Sequence, residues 1–287
     1  MFDGGFSATS LAVFTALAPA GAVAYACLAA FLLARRNAPI EQRERVMRLL
    51  LLPLAVAWAG FIASATHLGT PANALHAVNG IGRSPLSNEV VSVVAFLFFS
   101  GMAWMYSFSQ RLRPKAMNSL LAAAIAASAL MLFHMSFAYS IATVPTWDTW
   151  LTPANLWAAS LLSGPALAAL ALQASRCPLG RWPYALLLIS AVALACGTGL
   201  LAAHAAFLAT VSNNVANAVS LVPNYGWLIA SHTVLAACGL GFQLYGMRLP
   251  SSHARGLVFS SVGCTVVVIA ALLARFPFYD AYLSVGF

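Results

Sequence analysis

Few residues in this chain are equipped for chemistry, and they concentrate in one stretch. Residues 61–89 read FIASATHLGTPANALHAVNGIGRSPLSNE and hold His67, His76 and Glu89. The 287 residues include only six acidic side chains and six histidines, with 62% apolar and 7% charged residues overall. His67 stands before Leu68-Gly69-Thr70-Pro71. There a histidine favours the negative end of a helix, glycine forms a left-handed cap and proline stops the helix. Glu89 follows Ser87 and Asn88, either of which can cap a helix start, leaving the carboxylate against the positive end of the next helix. Capping alone accounts for each residue. It also places both on one membrane face near the hydrocarbon boundary, where an imidazole and a carboxylate can accept protons, with affinities set by burial and by each other. Ionisable groups within membrane segments are functional candidates by default.

His134, His204 and His232 fall in the outer halves of apolar segments, and His76 and His253 in connections. Several membrane histidines at similar depth raise a bis-histidine haem as one reading; single histidines packed against Ser, Asn or backbone carbonyls are the plainer one. Arg275, in Ala274-Arg-Phe-Pro-Phe-Tyr279, lies in the last turns of the final segment. It either snorkels to the headgroups or contacts a ligand oxygen or a docked partner. Cys27, Cys177, Cys196, Cys238 and Cys264 are dispersed without a CxxC or Cys/His cluster, so neither a disulfide framework nor a metal or Fe–S site is expected.

The elements that position these residues are membrane helices. Mean hydropathy is +0.87, and apolar runs of about twenty residues recur, too long for barrel strands. The chain reads as an all-α integral membrane protein, a single domain over 1–287. Eight transmembrane helices are expected at roughly 11–34, 46–68, 89–108, 116–140, 153–174, 183–210, 227–247 and 257–279, in an up-and-down bundle. The stretch before the first run carries Asp3 and no basic residue, so that run reads as a retained helix rather than a secretory signal. Of the 14 Arg and Lys residues, all but Arg83 and Arg275 fall in the connections after segments one, three, five and seven. The positive-inside trend therefore places both termini in the periplasm. The net charge of +8 is topological, and no nucleic-acid partner is expected. An Arg43–Arg48 contact with lipid headgroups is compatible with this plan. The outward connections are poor in charge and rich in Pro, Trp, Asn and Gly; Trp147, Trp150, Tyr225 and Trp227 suit an interfacial belt.

Five motifs carry a family resemblance: His67-Leu-Gly-Thr-Pro71, Ser84-Pro-Leu-Ser-Asn-Glu89, Thr143-Val-Pro-Thr-Trp147, Leu221-Val-Pro-Asn-Tyr-Gly226 and Arg275-Phe-Pro-Phe-Tyr279. In order and over essentially the whole length, the chain resembles the membrane anchor subunit (DmsC family) of bacterial dimethyl sulfoxide reductase. The resemblance implies an anchor without haem or metal of its own, in the bacterial inner membrane. It would oxidise menaquinol near the periplasmic face and pass electrons to a four-cluster Fe–S subunit, which feeds a molybdopterin catalytic subunit. Carried over by position, the family's quinol-site histidine falls on His67 and its essential carboxylate on Glu89, with Asn88, Gly69 and Arg275 completing the expected quinol site. The chain departs from the pattern at Asn224, where an acidic residue can occur, and around His134, where a relative carries an arginine. A polytopic transporter, with Glu89, His67 and Arg275 lining a path, and a haem b quinol-oxidising subunit are the competing readings. Transporters usually gather polar groups near the bilayer midplane, whereas here the midplane stretches are dominated by Ala, Leu and Val.

Overall fold

The computed structural model describes residues 4–66, 79–214, 216–249 and 254–284, with side chains described from residue 9 onward. These residues form α1 (Gly4–Ala34), α2 (Ile40–Arg48), α3 (Leu51–Ala65), α4 (Pro85–Tyr106), α5 (Pro114–Ala138), α6 (Leu151–Ala174), α7 (Trp182–Leu208), α8 (Ala218–Leu221), α9 (Tyr225–Arg248), α10 (Ala254–Leu273) and α11 (Phe276–Asp280). No strand occurs among the described residues; one isolated bridge joins Ser212 to Asn217 ahead of the short α8. Eight spans are long and apolar enough to cross a membrane. The chain is therefore an all-helical, eight-span membrane protein.

Two spans are composite, and proline explains both breaks. A proline lacks the amide that would reach the carbonyl four residues back, and its ring crowds that carbonyl. Pro53 releases Leu49, and the second span breaks at Leu49–Leu50 between α2 and α3. Pro277 releases Leu273, and the last span breaks at Ala274–Arg275 between α10 and α11. The second span begins at Ile40 rather than near 46. Its first segment is charged but helical, because Glu41–Arg45 and Glu44–Arg48 stand four apart in the favourable acid-to-base order. Pro19 and Pro165 cause no break within α1 and α6, the two most buried spans, where neighbouring helices hold the segment.

Helix α1 is the centre, packed against α3, α5 and α6, while α4 lies on α5, α7 on α6, and α9 on α10. Small residues allow this closeness, as expected where lipid offers no hydrophobic drive for helix association. A Cβ at Gly21 of α1 would come within 2.5 Å of the Pro53 carbonyl oxygen, and one at Gly239 of α9 within 2.7 Å of the Gly263 carbonyl oxygen of α10. Tyr25 of α1 donates to the Ser100 carbonyl of α4 at 2.7 Å and meets Phe96 edge-on at 5.9 Å. Phe98, Met105, Leu188, Val234 and Val258 are exposed and face the surroundings that lipid would fill.

Candidate functional site

Helix α4 starts four residues before the expected position, and this changes what Glu89 does. Ser84, in extended conformation, caps the helix by accepting the Ser87 amide at 3.4 Å, and Pro85 opens the first turn. No acidic residue lies in that first turn. Glu89 instead sits on the inward stripe it shares with Ser92, Val93, Phe96, Ser100 and Ala103. It is 3% exposed, and its Oε1 is buried with no hydrogen-bond partner. Among the described residues it is the only buried carboxylate. The expected capping role is therefore replaced by burial of an incompletely satisfied acid.

Asn88 faces the preceding turn. Its Oδ1 accepts the amide of Gly82 at 2.7 Å, where Gly82 holds a positive φ of 78°. Asn88 thereby fixes the turn leading into α4. His67 and Gly69, the other expected members of the site, lie outside the described residues, as do His76 and His253.

Arg275 is not at the headgroups. It is 2% exposed and stands at the break between α10 and α11, turned inward. Its Nε donates to the Thr15 hydroxyl oxygen of α1 at 3.1 Å, and its guanidinium lies 4.7 Å from the Phe278 ring centroid and 5.7 Å from that of Tyr279. The Thr15 hydroxyl is 3.1 Å from the Tyr279 hydroxyl, which also reaches the Leu11 carbonyl at 3.3 Å. The Tyr279 ring also meets edge-on, at 6.0 Å, that of Tyr139, the first residue past α5, and Tyr139 lies within electrostatic reach of both Glu89 and Arg275. Withdrawal from water, together with Tyr279 and Glu89, pushes the Tyr139 phenol well above its usual range, against the opposing pull of Arg275. Arg275, Thr15 and Tyr279 thus form one hydrogen-bonded group across α1 and α11, with the Tyr139 ring from the end of α5 packed against it.

Three of the sequence motifs interlock around these hydroxyls. Trp147 stacks on Phe278 at 4.7 Å with ring planes 16° apart, and its Nε1 donates to the Phe278 carbonyl at 2.8 Å. His204 lies between the Thr146 carbonyl, 3.4 Å from Nε2, and the Tyr225 hydroxyl, 2.8 Å from Nδ1. A carbonyl only accepts, so in neutral His204 Nε2 carries the proton and Nδ1 receives the Tyr225 hydroxyl. Arg275 is the charged neighbour of both His204 and Tyr225. His232 donates from Nδ1 to the Ala270 carbonyl at 2.8 Å, and lines with Arg275 and Asn155 a small cavity with room for roughly one water. His134 keeps a buried Nδ1 without a partner. Among the described residues no three His, Cys, Asp or Glu side chains assemble as metal ligands.

Sequence reasoning found Glu89 and Arg275 but missed Thr15, which holds Arg275, and Tyr139, which packs on Tyr279. Tyr279 was visible only as the closing residue of a motif, and Tyr225 only as a motif residue suited to an interfacial belt.

Comparison with known proteins agrees with the motif order. Residues 2–280 match the family model described as DMSO reductase anchor subunit (DmsC). The protein is 33% identical over 246 residues, 85% of its own length and 84% of the relative's, to the anaerobic dimethyl sulfoxide reductase subunit YnfH of Escherichia coli K12. It is 31% identical over 278 residues, 96% and 95% of the two lengths, to the C subunit of anaerobic dimethyl sulfoxide reductase of the same organism. It is 25% identical over 280 residues to the corresponding C subunit of Haemophilus influenzae Rd, again covering 96% and 95% of the two lengths.

Proposed function

The protein belongs to the DMSO reductase anchor subunit family, a multi-pass protein of the bacterial inner membrane that anchors such a complex, and from that membership we propose that it oxidises menaquinol. The reaction releases two protons and two electrons. The electrons would leave for a four-cluster Fe–S subunit docked at the end of the bundle that is poor in basic residues, and from there reach a molybdopterin catalytic subunit that reduces dimethyl sulfoxide or a related acceptor. The positive-inside trend makes that end periplasmic. Glu89 takes a proton from the quinol and His67 is the second acceptor. Asn88, Gly69 and Arg275 complete the quinol site, Arg275 supplying its positive charge.

The observation that supports this reading best is the Glu89 carboxyl group. A buried carboxyl oxygen without a partner costs free energy and serves no capping role here. It is suited to a ligand hydroxyl that arrives and leaves. In membranes carrying the assembled complex, Glu89→Gln should lower quinol-driven acceptor reduction by at least about 10²-fold. Reduction driven by a dye that feeds the catalytic subunit directly should persist at the native rate. Native quinol-driven turnover in Glu89→Gln would exclude the assignment.

A further inference from the structure

We propose that the arginine-rich end of the bundle binds one anionic phospholipid in the cleft between the α6–α7 and α9–α10 connections. Its phosphate meets Arg176 and Arg181, and one acyl chain lies along α7. The inference does not depend on quinol oxidation, whose proposed residues Glu89 and Arg275 stand at the opposite end of the bundle. Four helices meet at the cleft: α6 packs on α7 and α10, and α9 packs on the same two. Over their ends lies a cavity of about 440 Å³, whose lining includes Gln173, Arg176, Gly180, Tyr184, Leu249 and Leu257. A second hollow of about 530 Å³ adjoins it, sharing Tyr184 and lined by Arg181, Ala185 and Leu188. Tyr184 and Leu188 are exposed, so the two open together on a side of the bundle that lipid would cover.

The floor and rim of the cleft are fixed. A Cβ on Gly256 of α10 would lie 2.7 Å from the Gly246 carbonyl oxygen of α9, and Gln173 Nε2 donates to that same oxygen at 3.1 Å. The Gln173 Oε1 is left buried without a partner, an acceptor that a ligand hydroxyl would satisfy. On the rim, Arg35 of α1 donates to the Pro178 carbonyl at 2.8 Å. Arg176 is the only non-glycine among the described residues with a positive φ, 51°. It follows the Ser175 cap of α6, a position where glycine is the usual choice. An arginine in that conformation strains the backbone and places a guanidinium beside the cleft.

Charge and shape select the ligand. Arg176, Arg181, Arg248 and Arg255 all lie in residues 174–183 and 247–257, which contain no Asp or Glu. Of the six acidic residues only Glu41 and Glu44 fall at this end, each four residues before an arginine of α2. The arginines of the two connections therefore keep an uncompensated positive field that attracts an anionic headgroup. Leu257, Ala185 and Leu188 add an apolar wall, which a fatty chain would cover and a soluble phosphate would leave bare. A phosphatidylglycerol headgroup brings net negative charge for the arginines and a hydroxyl for Gln173, and its chain fits α7.

The test is native mass spectrometry of the delipidated complex in detergent, titrated with phosphatidylglycerol, phosphatidylcholine or inorganic phosphate. The native complex should bind one phosphatidylglycerol roughly 30-fold more tightly than the Arg176→Gly, Arg181→Gln double variant. Glycine suits the backbone at 176, so loss of binding would not reflect misfolding there. If the double variant fails to assemble, Arg176→Gly alone decides, with binding about fivefold weaker than native. Native affinity in the variant that decides overturns the proposal. Phosphatidylcholine bound as tightly as phosphatidylglycerol overturns the selection by charge. Displacement of phosphatidylglycerol by inorganic phosphate would assign the cleft to a free anion and overturn the lipid.

Discussion

Replacing Arg275 should show an inverted order of tolerance, with lysine worse than methionine. The native side chain makes a charge-assisted bond to Thr15 at 3.1 Å and cation–π contacts at 4.7 Å on Phe278 and 5.7 Å on Tyr279. Losing the Thr15 bond and the ring contact costs about 2–4 kcal/mol. Methionine loses these interactions but also removes the desolvation penalty of a buried cation, about several kcal/mol, and fills most of the volume. It leaves no orphan, because Thr15 still reaches the Leu11 carbonyl at 2.9 Å and the Tyr279 hydroxyl at 3.1 Å. Lysine keeps the buried charge in a more strongly hydrated form, and its single nitrogen can replace the Thr15 bond or the ring contact but not both. At about 2–4 °C per kcal/mol, Arg275→Lys should lower the apparent unfolding temperature by on the order of 10 °C. Arg275→Met should stay within about 4 °C of native. The assay is retention of the intact complex on size-exclusion chromatography after heating in detergent, at one fixed heating schedule because such unfolding is irreversible. A lysine variant as stable as native, or a methionine variant that is the less stable of the two, would refute the assignment of Arg275 as a buried cation held by Thr15 and the Phe278 ring.

Two further outcomes follow from the packing and from Tyr139. In Gly239→Ala the new methyl would meet the Gly263 carbonyl oxygen at 2.7 Å and the Val267 amide at 3.0 Å, both backbone atoms; the same thermal assay should show a loss of about 1–3 kcal/mol. The Tyr139 phenol is raised above its ordinary 10.0. The unfolded chain therefore ionises it first, and stability should fall as pH rises beyond about 10. Thermal scans at high pH should show a shallower decline in Tyr139→Phe, and equal slopes would count against burial of that hydroxyl.

The spans were legible because runs of about twenty apolar residues have one stable solution in lipid. Their inward faces were not legible from hydropathy, since both lipid and core accept Leu, Val and Phe. A different signal was present. On α4 the buried positions Glu89, Ser92, Phe96, Ser100 and Ala103 alternate with exposed Val94, Phe98, Met102 and Met105. On α10 buried Gly256, Ser260, Gly263 and Cys264 oppose Val258, Val262 and Ile269. Small and polar residues mark the packed face of a membrane helix. Read this way, Arg275, four residues after the buried Ala271, belongs inside rather than at the headgroups. Thr15 carries the same mark on α1, but its role and that of Tyr139 come from contacts 260 and 140 residues distant in sequence, Thr15 with Arg275 and Tyr139 with Tyr279.

The start of α4 decides between the two explanations of Glu89. A helix beginning at 89 would put the carboxylate against free amides and make it a cap, satisfied and replaceable by Asp or Ser. The helix begins at Pro85 behind the Ser84 cap, so Glu89 stands about 6 Å further along the axis, where the backbone amides already have partners. Its Oε1 has none. Among the described residues the only buried cation at that end of the bundle, Arg275, is engaged by Thr15 and the rings of Phe278 and Tyr279 rather than by a carboxylate. A direct pair would satisfy both charges and leave no place for a ligand. With Arg275 held elsewhere, the free oxygen of the Glu89 carboxyl group stays available, the arrangement a site needs if its last hydrogen-bond partner is the substrate.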